Sequence, residues 1–519
     1  MPYTKRNFKF YLTSFIKYDF RSSITLFFVA LPLCLGISLA SGAPLYSGLL
    51  SGIIGGIVVS LLSKSQLSVS GPAAGLTAIC VAAISEFGTI ELFFVSIAIA
   101  GILQIMLGIF RLGGFTHFIP SAVIKGMLAA IGIILITKQV PLVLGYDQPD
   151  FWSNEFFNIL TFNHLFENVE QLYRHTSAGA IVISVISFLV LVFWKKYLSQ
   201  KIKFLPTSFV TVLIAVVLAW LINRYSPFLS IEKDQFVHIP DGIVSQIHLT
   251  DFAKAFQHAA IWTNALIICF VASLETLLSI VAIDKLDPYN RVTPQNQELV
   301  AQGTGNLISG LLGGLPITAV IVRSSANAEA GAKTKLSAFA HGVWLLLAIL
   351  LAIPLLNLIP YAVLAVILLR TGYNLAKPQM IIAVYKQGRE QFLPFIVTVI
   401  AILFTDLLIG VLIGCIYAIY FLIKHTYRAG YVMREKDVDG VKNITIDLAL
   451  NVSFLNKKRF VDLLDKISEN AVVEINGTDS VYIDLDILEI FHDFKSKALQ
   501  KNIMLTLVNI PEVETIELH

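Results

Sequence analysis

The chain has 519 residues, of which 56% are hydrophobic and only 14% are charged. Soluble proteins carry about 25% charged residues, so this chain has too little polar surface for several soluble domains. Its composition is typical of a polytopic membrane protein. The net charge of +3 is nearly balanced and gives no reason to expect a nucleic-acid partner. The four cysteines lie far apart, and we find no metal-ligand spacing or catalytic motif, so we expect neither an enzyme nor a cofactor.

Residues 1–22 are basic and aromatic and lack a cleavage site before the first apolar segment, which predicts a cytoplasmic leader. Apolar segments of up to about 20 residues then follow one another to residue 430, which predicts a transmembrane domain over 23–430 with about fourteen helical spans. The predicted spans are two within 22–63, then 66–85, 92–110, 116–138, 176–194, 205–222, 261–283, 295–312, 319–331, 335–354, 357–372, 391–406 and 409–424.

The distribution of basic residues agrees with an even number of spans. The leader and the connector at 195–204 are rich in Lys and Arg, whereas the polar segments 145–175 and 223–258 are mixed or acidic. Lys and Arg accumulate on the cytoplasmic side of membrane proteins. We therefore expect a multi-pass protein of the plasma (inner) membrane with both termini in the cytoplasm.

The composition changes abruptly near residue 435, beyond which charged residues are frequent. Segments with strand-like and helix-like periodicity alternate there, which predicts a small cytoplasmic α/β domain over 436–519. The predicted strands are 441–449, 471–475, 480–485 and 503–510, and the predicted helices are 457–467 and 487–500.

Two apolar segments, one in each half of the chain, are interrupted by Gly and Pro. They are LSVSGPAAG at 67–75 and GGLPITAVIVRSS at 313–325. In each segment a short β-like stretch precedes the start of a helix. Paired interruptions of this kind are the signature of transporters built from inverted repeats.

Both interruptions predict a half-helix that begins inside the membrane. Pro72 suits the first helical position with Ser70 or Gly71 as the cap, and Thr318 suits the cap of the second half-helix. A helix N-terminus presents unpaired N–H groups and about half a positive charge, so two facing N-termini form an anion site. The groups expected to replace the water shell of an oxyanion are Ser70, Thr318 and the backbone amides of 73–75 and 319–321.

Three ionisable residues inside predicted spans are candidates for a functional role: Glu275, Arg323 and Asp406. Asp406, in LFTDLLIG, lies at a span boundary and is expected to be structural. Glu275 is the lone carboxylate of its span, and such residues are usually functional. It could hold a coupling Na⁺ together with Ser279, one turn further on the same face, or it could carry a proton. A structural ion pair with Arg323 is the alternative. Arg323 either adds positive charge to the anion site or extends to the membrane interface.

Several segments of the chain resemble the SulP family of inorganic anion transporters, which comprises the sulfate permease and solute-carrier 26 proteins. They are VALPLCLGISLASGAP (29–44), SVSGPAAGLTAI (68–79), the span around Glu275, GLPITAVIVRSSANAEAGAKTKLS (314–337) and TDLLIGVLIG (405–414). The C-terminal region 436–519 resembles a STAS domain.

This resemblance implies fourteen spans arranged as two inverted repeats of seven. Spans 1–4 and 8–11 would form a core, and spans 5–7 and 12–14 a gate, with the substrate between the broken third and tenth spans. The core would move against the gate as an elevator, in a homodimer. By position, the implied substrate-binding residues are Ser70, Ala73, Ala74, Gly75, Thr318, Ala319, Val320 and Arg323, and the implied coupling-ion residues are Glu275 and Ser279.

The sequence departs from the family pattern in two places. Many members have Gln after the Pro of the first span, whereas here Pro32 is followed by Leu33. The STAS loop at 479–489 lacks the serine that is phosphorylated in many STAS domains and carries Asp484 and Asp486 there. The first departure removes a polar substrate contact, and the second argues against control by serine phosphorylation.

We therefore expect a secondary active transporter of bicarbonate or sulfate, coupled to Na⁺ or H⁺. One alternative is a channel or motor that responds to anions. Another is a nucleobase-type permease of the same fold, which would need a carboxylate in the tenth span, where Arg323 lies. A third is a membrane sensor that signals through its C-terminal domain.

Overall fold

The structure of the protein is a computed structural model that describes residues 11, 13–114, 119–146, 176–198, 206–240, 258–405, 407–428, 430–438 and 441–512. The predictions that concern residues 1–10 of the leader, 147–175 and 241–257 of the polar segments, 199–205 of the basic connector, Asp406 and residues 513–519 lie outside the described residues.

Helices in the described residues correspond one for one to the predicted spans, with short additional helices at Ile353–Leu356 and Pro378–Lys386. The corresponding helices are α1 (Phe15–Ala40), α2 (Leu45–Leu62), α3 (Ala74–Phe87), α4 (Ile90–Ile109), α5 (Ser121–Leu144), α6 (Ala178–Leu198), α7 (Thr207–Tyr225), α8 (Ala259–Asp284), α9 (Gln295–Leu312), α10 (Ile321–Glu329), α11 (Leu336–Leu351), α12 (Tyr361–Leu375), α13 (Arg389–Phe404) and α14 (Leu407–Arg428).

Eight helices in the described part of the chain are long and apolar enough to cross a membrane. Their burial separates inner from outer helices: 72% of the most apolar window of α1 is buried, against 22% of that of α14. Apolar residues that remain exposed on helices such as α14 suit contact with lipid. The predicted class, a polytopic helical membrane protein with two interrupted helices and a C-terminal α/β domain, is confirmed.

The two interruptions pair with each other as a β-ribbon. Strand β1 (Ser70–Pro72) precedes α3, and strand β2 (Ile317–Ala319) precedes α10. The strands are antiparallel, with Ser70 opposite Ala319 and Pro72 opposite Ile317. An antiparallel pair in which each strand leads into its own helix has the two-fold relation that inverted repeats require.

The predicted side-chain caps of these half-helices are wrong. Pro72 lies in β1 and not at the first helical position, and Thr318 lies in β2. The residues that precede the two helices are Ala73 and Val320, and neither helix has a side-chain cap. The reason is that strand pairing holds the expected capping residues in an extended conformation, two or more residues before the helices begin.

Glycines allow three helix pairs to approach closely, in a pattern that also reflects the repeat. In an inverted repeat of seven spans, α2 corresponds to α9, α4 to α11 and α5 to α12. The α2–α11 and α4–α9 contacts are therefore equivalent, and the α5–α12 contact corresponds to itself. A Cβ atom on the first glycine of each pair would lie within 2.6 Å of the second glycine's backbone. The pairs are Gly56 with Gly342, Gly101 with Gly303, and Gly132 with Gly372.

The chain divides into two compact units, Met1–Gln387 with Phe395–Leu412, and Gly388–Pro394 with Ile413–His519. The second unit contains a four-stranded sheet in the order β3 (Tyr431–Val438), β4 (Val441–Leu448), β6 (Val472–Asn476) and β8 (Met504–Val508), and a small strand pair of β5 (Asn451–Val452) and β7 (Tyr482–Ile483). Helices α15 (Lys457–Asp465) and α16 (Leu485–Gln500) connect the parallel strands. This α/β architecture is compatible with a STAS domain.

One face of this sheet packs on both helices. Ile446 and Ile475 are fully buried there, and the rings of Phe460 and Phe491 meet edge to face at 5.3 Å. Strand β3 was not predicted from the sequence, because its residues Tyr431–Val438 are charged along much of their length. Strand β7 covers only Tyr482–Ile483, which is shorter than the predicted strand 480–485. Strand β3 forms at the edge of the sheet, and its residues 432–437 are all exposed, so it buries no face that would require alternating hydrophobic residues.

The acidic residues of the 479–489 loop have structural partners. Asp484 caps α16, since its side chain accepts hydrogen bonds from the amides of Asp486 (3.2 Å) and Phe454 (3.2 Å). Asp486 lies 3.6 Å from the Lys457 ammonium. A carboxylate at a helix N-terminus is favourable on its own, which gives these aspartates a stabilising role.

Candidate functional site

The β-ribbon brings the starts of α3 and α10 to one cavity. Beyond the β1–β2 pairing, the Val320 amide donates to the Val69 carbonyl at 3.0 Å. Ala74 and Gly75 from α3 line the cavity, as do Val320 and 321–323 at the start of α10. Two helix N-termini without side-chain caps therefore direct free N–H groups and partial positive charge toward the same space.

Helix α9 supports the ribbon from one side through polar side chains. The Asn306 amide bonds both the N–H (2.5 Å) and the carbonyl (3.0 Å) of Ile317, as a neighbouring strand would. Gln302 donates to the Ser70 hydroxyl at 2.6 Å, and Ser309 donates to the Leu315 carbonyl at 2.7 Å. Both strands are thus held from α9, which fixes where the half-helices begin.

Arg323 lies beside Gly71. Its side chain is fully buried, and Nη2 donates to the Pro72 carbonyl at 3.3 Å. The Nε and Nη1 atoms have no partner, and a Cβ atom on Gly71 would lie 2.2 Å from Nη1. We observe no ion pair between Arg323 and any carboxylate of the described residues. A buried guanidinium without a negative partner strongly favours a bound anion.

Glu275 lies on α8 and faces the same cavity. Its Oε2 atom is buried without a hydrogen-bond partner. A Cβ atom on Gly75 would lie 2.7 Å from this oxygen, so the carboxyl group rests against the first turn of α3. Ser279 also lines the cavity, one turn further along α8. The ion pair of Glu275 with Arg323, which the sequence left open, is not formed in the described structure.

The predicted site residues fall into two groups. Those that line the cavity are Ala74, Gly75, Glu275, Ser279, Val320 and Arg323. Those that lie in or next to the ribbon, outside the cavity lining, are Ser70, Ala73, Thr318 and Ala319. The Thr318 hydroxyl is buried there without a partner. The ribbon group is therefore placed to hold the two helix starts, and not among the residues that line the cavity.

Two of the amides expected to contact an anion are already used. The Ala319 amide donates to the Thr276 hydroxyl at 3.2 Å, and the Val320 amide donates to Val69. The amides left free at the start of α10 are those of 321–323, because the first helical hydrogen bond is that from Ser324 to Val320. The amides that remain available to an anion on this side are therefore shifted toward Arg323.

The cavity has a volume of about 70 Å³, and the part of its wall that does not belong to α3, α8 or α10 is largely apolar. It consists of Leu33 and Ile37 from α1, Met127, Leu128 and Ile131 from α5, and Thr371 and Leu375 from α12. Sequence reasoning missed the α5 and α12 residues, because an apolar helix position looks the same whether it faces lipid, another helix or a cavity. Leu33, which follows Pro32 where the family resemblance leads us to expect Gln, does line the cavity.

Comparison with known proteins identifies the chain. The model of the sulfate permease family matches residues 16–398. The chain belongs to this family. The SulP resemblance is thereby confirmed, and so is the expectation that the protein is not an enzyme, since members of the sulfate permease family are transporters.

Similar proteins include two bacterial transporters. The putative sulfate transporter YvdB of Bacillus subtilis is 26% identical over 501 residues, which cover 96% of this chain and 90% of that protein. The bicarbonate transporter BicA of Picosynechococcus is 25% identical over 456 residues, which cover 86% of this chain and 76% of that protein.

Two solved structures show the same fold. The transmembrane domain of a cyanobacterial bicarbonate transporter BicA superposes with a TM-score of 0.63 at 24% identity, over 80% of this chain and 99% of that one. Murine Slc26a9, an anion transporter in the inward-facing state, superposes with a TM-score of 0.75 at 16% identity, over 98% of this chain and 90% of that one.

Proposed function

We propose that this sulfate permease family protein is a secondary active transporter of a small inorganic anion of the bicarbonate or sulfate class. The observation that carries the proposal is the fully buried Arg323, whose Nε and Nη1 atoms have no partner. It lies where the uncapped starts of α3 and α10 face one cavity. This combination supplies positive charge and N–H donors without a fixed negative partner.

Bicarbonate and sulfate both suit this site. Similar proteins bear the names of transporters of each anion. Free amides and a guanidinium recognise charge and oxygen acceptors, and both anions present these. The apolar wall from α5 and α12 offers no further donor apart from Thr371, so it favours a small anion that sheds part of its water.

Coupling is proposed to reside at Glu275. Its buried Oε2 atom has no partner, and the Ser279 hydroxyl lies on the same cavity wall. A carboxylate and a hydroxyl are oxygen ligands that suit Na⁺, whereas a carboxylate alone suffices for a proton. Either ion would neutralise Glu275 next to the anion cavity and so remove the repulsion between the carboxylate and the anion.

The transport step is proposed to be an elevator movement of the core helices against the gate helices. The cavity is lined both by core residues, from α1, α3, α8 and α10, and by gate residues, from α5 and α12. Contacts between the groups include apolar ones: Gly36 packs on Leu368, and the rings of Phe28 and Phe209 are 3.8 Å apart. Apolar surfaces without directional bonds can slide at low cost.

Three further properties of the protein are predictions. They are a homodimer, cytoplasmic termini and residence in the plasma membrane. A sensor that signals through the C-terminal unit is the competing role for that unit. Transport by a truncated protein that ends near Met433 would show that the C-terminal unit is accessory.

The proposal is tested with purified protein in liposomes. Uptake of labelled bicarbonate, sulfate and uracil is measured with and without a Na⁺ gradient and a pH gradient. We expect one of the two anions to accumulate above equilibrium when the coupling gradient is present. Passive anion current without accumulation would support the channel alternative, and uptake of uracil alone would support the nucleobase permease.

A further inference from the structure

A chain of buried polar side chains connects the end of α2 with the ribbon, at a distance from Glu275. Ser63 donates to Glu298 Oε2 at 2.5 Å, Gln302 Nε2 donates to Glu298 Oε1 at 2.9 Å, and the same Nε2 donates to the Ser70 hydroxyl at 2.6 Å. Glu298 and Gln302 have no exposed surface, and Ser63 and Ser70 are each 4% exposed. The transport mechanism proposed above gives no role to Ser63, Glu298 or Gln302.

Among the described residues, Glu298 and Ser70 alone form hydrogen bonds with the Gln302 amide. Both hydrogens of its NH₂ group are used in these two bonds, and its Oε1 atom is buried without a partner. A rotation that exchanges the oxygen and nitrogen positions therefore breaks no other hydrogen bond. The two neighbours alone decide which end of the amide points toward them.

Glu298 has no ion-pair partner among the described residues. The charged groups around it are Lys335, Asp284 and, further out, Lys64 next to Lys335. The Lys335 ammonium donates to the carbonyls of Leu61 (2.7 Å) and Ser63 (3.0 Å) and is not within ion-pair distance of the carboxyl group. A single buried carboxyl group with two hydrogen-bond donors can exist in both protonation states at moderate cost.

We propose that Glu298 and Gln302 form a proton-linked switch that sets the hydrogen bonding of strand β1. When Glu298 is ionised, both of its oxygens accept, and Gln302 presents its NH₂ group to Glu298 and Ser70, as observed. When Glu298 is protonated on Oε1, this atom donates, and Gln302 turns to accept. The Ser70 hydroxyl then donates to Gln302 Oε1. The proton is taken up from water at the end of α2, beside the exposed Lys64, and is returned there.

The switch acts through the ribbon and not by contact with the anion, so both residues are positioning residues. Ser70 precedes Gly71, on which the Arg323 guanidinium rests, and it lies opposite Ala319 in β2. A changed bond at Ser70 shifts β1 relative to Arg323 and to the start of α3. The switch rests on the proposed function, since its effect is on anion affinity. It makes this affinity depend on pH at the inner face, independently of Glu275.

The test measures KM for the transported anion in inside-out vesicles at inner-face pH values between 5.5 and 8.5, with the concentration of ionised substrate held constant. For the unmodified protein we expect KM to change about fivefold over this range, the equivalent of one net hydrogen bond. Glu298→Gln and Gln302→Leu should both remove the same part of this change and leave only the part that Glu275→Gln removes, and the Glu298/Gln302 double variant should behave like either single variant. Gln139→Leu, also a buried amide on a membrane helix, is the matched control and should keep the pH profile.

Unchanged pH profiles in Glu298→Gln and Gln302→Leu, with only a uniformly lower rate or Tm, would show a purely structural role and overturn the switch. A second readout does not need transport: pH-difference infrared spectra of the purified protein. We expect a carboxyl band that is absent from Glu298→Gln and an amide band that is absent from Gln302→Leu. Absence of uptake with both bands present would reject the proposed function and keep the switch, and absence of both bands would reject the switch.

Discussion

Gly75 and Glu275 are in direct contact at the edge of the cavity. A Cβ atom on Gly75 would lie 2.7 Å from Oε2 of Glu275 and 3.0 Å from its Cδ. Gly75 belongs to the first turn of α3, and Glu275 lies in the middle of α8. The carboxyl group therefore occupies the space that any other residue at position 75 would fill. This contact joins the candidate coupling residue to one of the two helix starts that face the anion.

Gly75→Ala is expected to reduce gradient-driven uptake at least about tenfold, because a displacement of about 1 Å in a site can cost that much or more. The methyl group pushes the Glu275 carboxyl group away from α3 and out of register with Ser279. Gly114→Ala is the control, since a Cβ atom there would have no neighbour within 4 Å. Uptake is compared in liposomes that contain equal amounts of folded protein. Equal uptake by the Gly75 variant and the control would show that the carboxyl position is not critical.

Arg323→Ala is expected to weaken anion binding about 10- to 100-fold, because charge-assisted hydrogen bonds contribute about 1.5–3 kcal/mol. The measurement is isothermal titration of the purified protein with the transported anion. Arg323→Lys retains the charge but not the planar fork, so it should recover part of the affinity. An unchanged dissociation constant in Arg323→Ala would contradict the electrostatic role of this residue.

Gly71→Ala tests the same guanidinium without removing its charge. A Cβ atom there would lie 2.2 Å from Nη1 of Arg323, and this flexible end of the side chain must then move. We expect an affinity between those of the unmodified protein and Arg323→Ala, with little change in Tm. An affinity equal to that of the unmodified protein would show that the position of Nη1 is unimportant.

The interrupted helices could be predicted from the sequence because Gly and Pro break helical periodicity at two corresponding places. Their pairing could not be predicted, since strands of three residues carry no periodic signal. The pairing depends on residues far away in sequence, such as Gln302, whose side chain donates to the Ser70 hydroxyl at 2.6 Å. Once the strands are paired, Ser70 and Thr318 are no longer in position to cap the helices. The amides of Ala319 and Val320 are also unavailable, because they donate to the Thr276 hydroxyl and the Val69 carbonyl.

The ionisable site residues could be predicted for a different reason. Charge is rare in an apolar chain, so Glu275 and Arg323 were conspicuous, and both line the cavity. Glu298 and Gln302 were not, because the first half of the predicted span 295–312 contains many polar residues. The apolar wall from α5 and α12 depends on helix packing, which local sequence does not encode.

The loop between α8 and α9 offers a prediction on pH and stability. Burial alone would raise the pKa of Asp287, but hydrogen bonds from the Arg291 side chain and from the amides of Tyr289 and Arg291 outweigh it and hold the pKa below its usual value. The ion pair is bidentate, at 2.5 Å and 2.9 Å. A lowered pKa in the folded state means that the carboxylate stabilises the fold above the unfolded pKa of about 3.9.

Asp287→Asn is therefore expected to lower Tm by about 1–3 °C at pH 7, the scale of a single charged hydrogen-bonded pair in a large domain. The difference should persist down to about pH 5, shrink below about pH 4 and vanish once Asp287 is protonated in the folded protein. Thermal unfolding in detergent at several pH values measures it. A Tm difference that stayed constant down to pH 3 would mean that packing, and not the charge, is responsible.

Glu275→Gln is expected to abolish accumulation that is driven by a Na⁺ or pH gradient while leaving the fold intact. The amide keeps the shape of the side chain against Gly75 but cannot release a proton and binds Na⁺ poorly. Since the variant is permanently neutral, the anion should still bind, with an affinity no weaker than in the unmodified protein. Uptake with and without each gradient measures accumulation, and titration measures binding. Undiminished accumulation would remove Glu275 from the coupling mechanism. A loss of binding together with accumulation would instead indicate that the carboxyl group shapes the anion cavity.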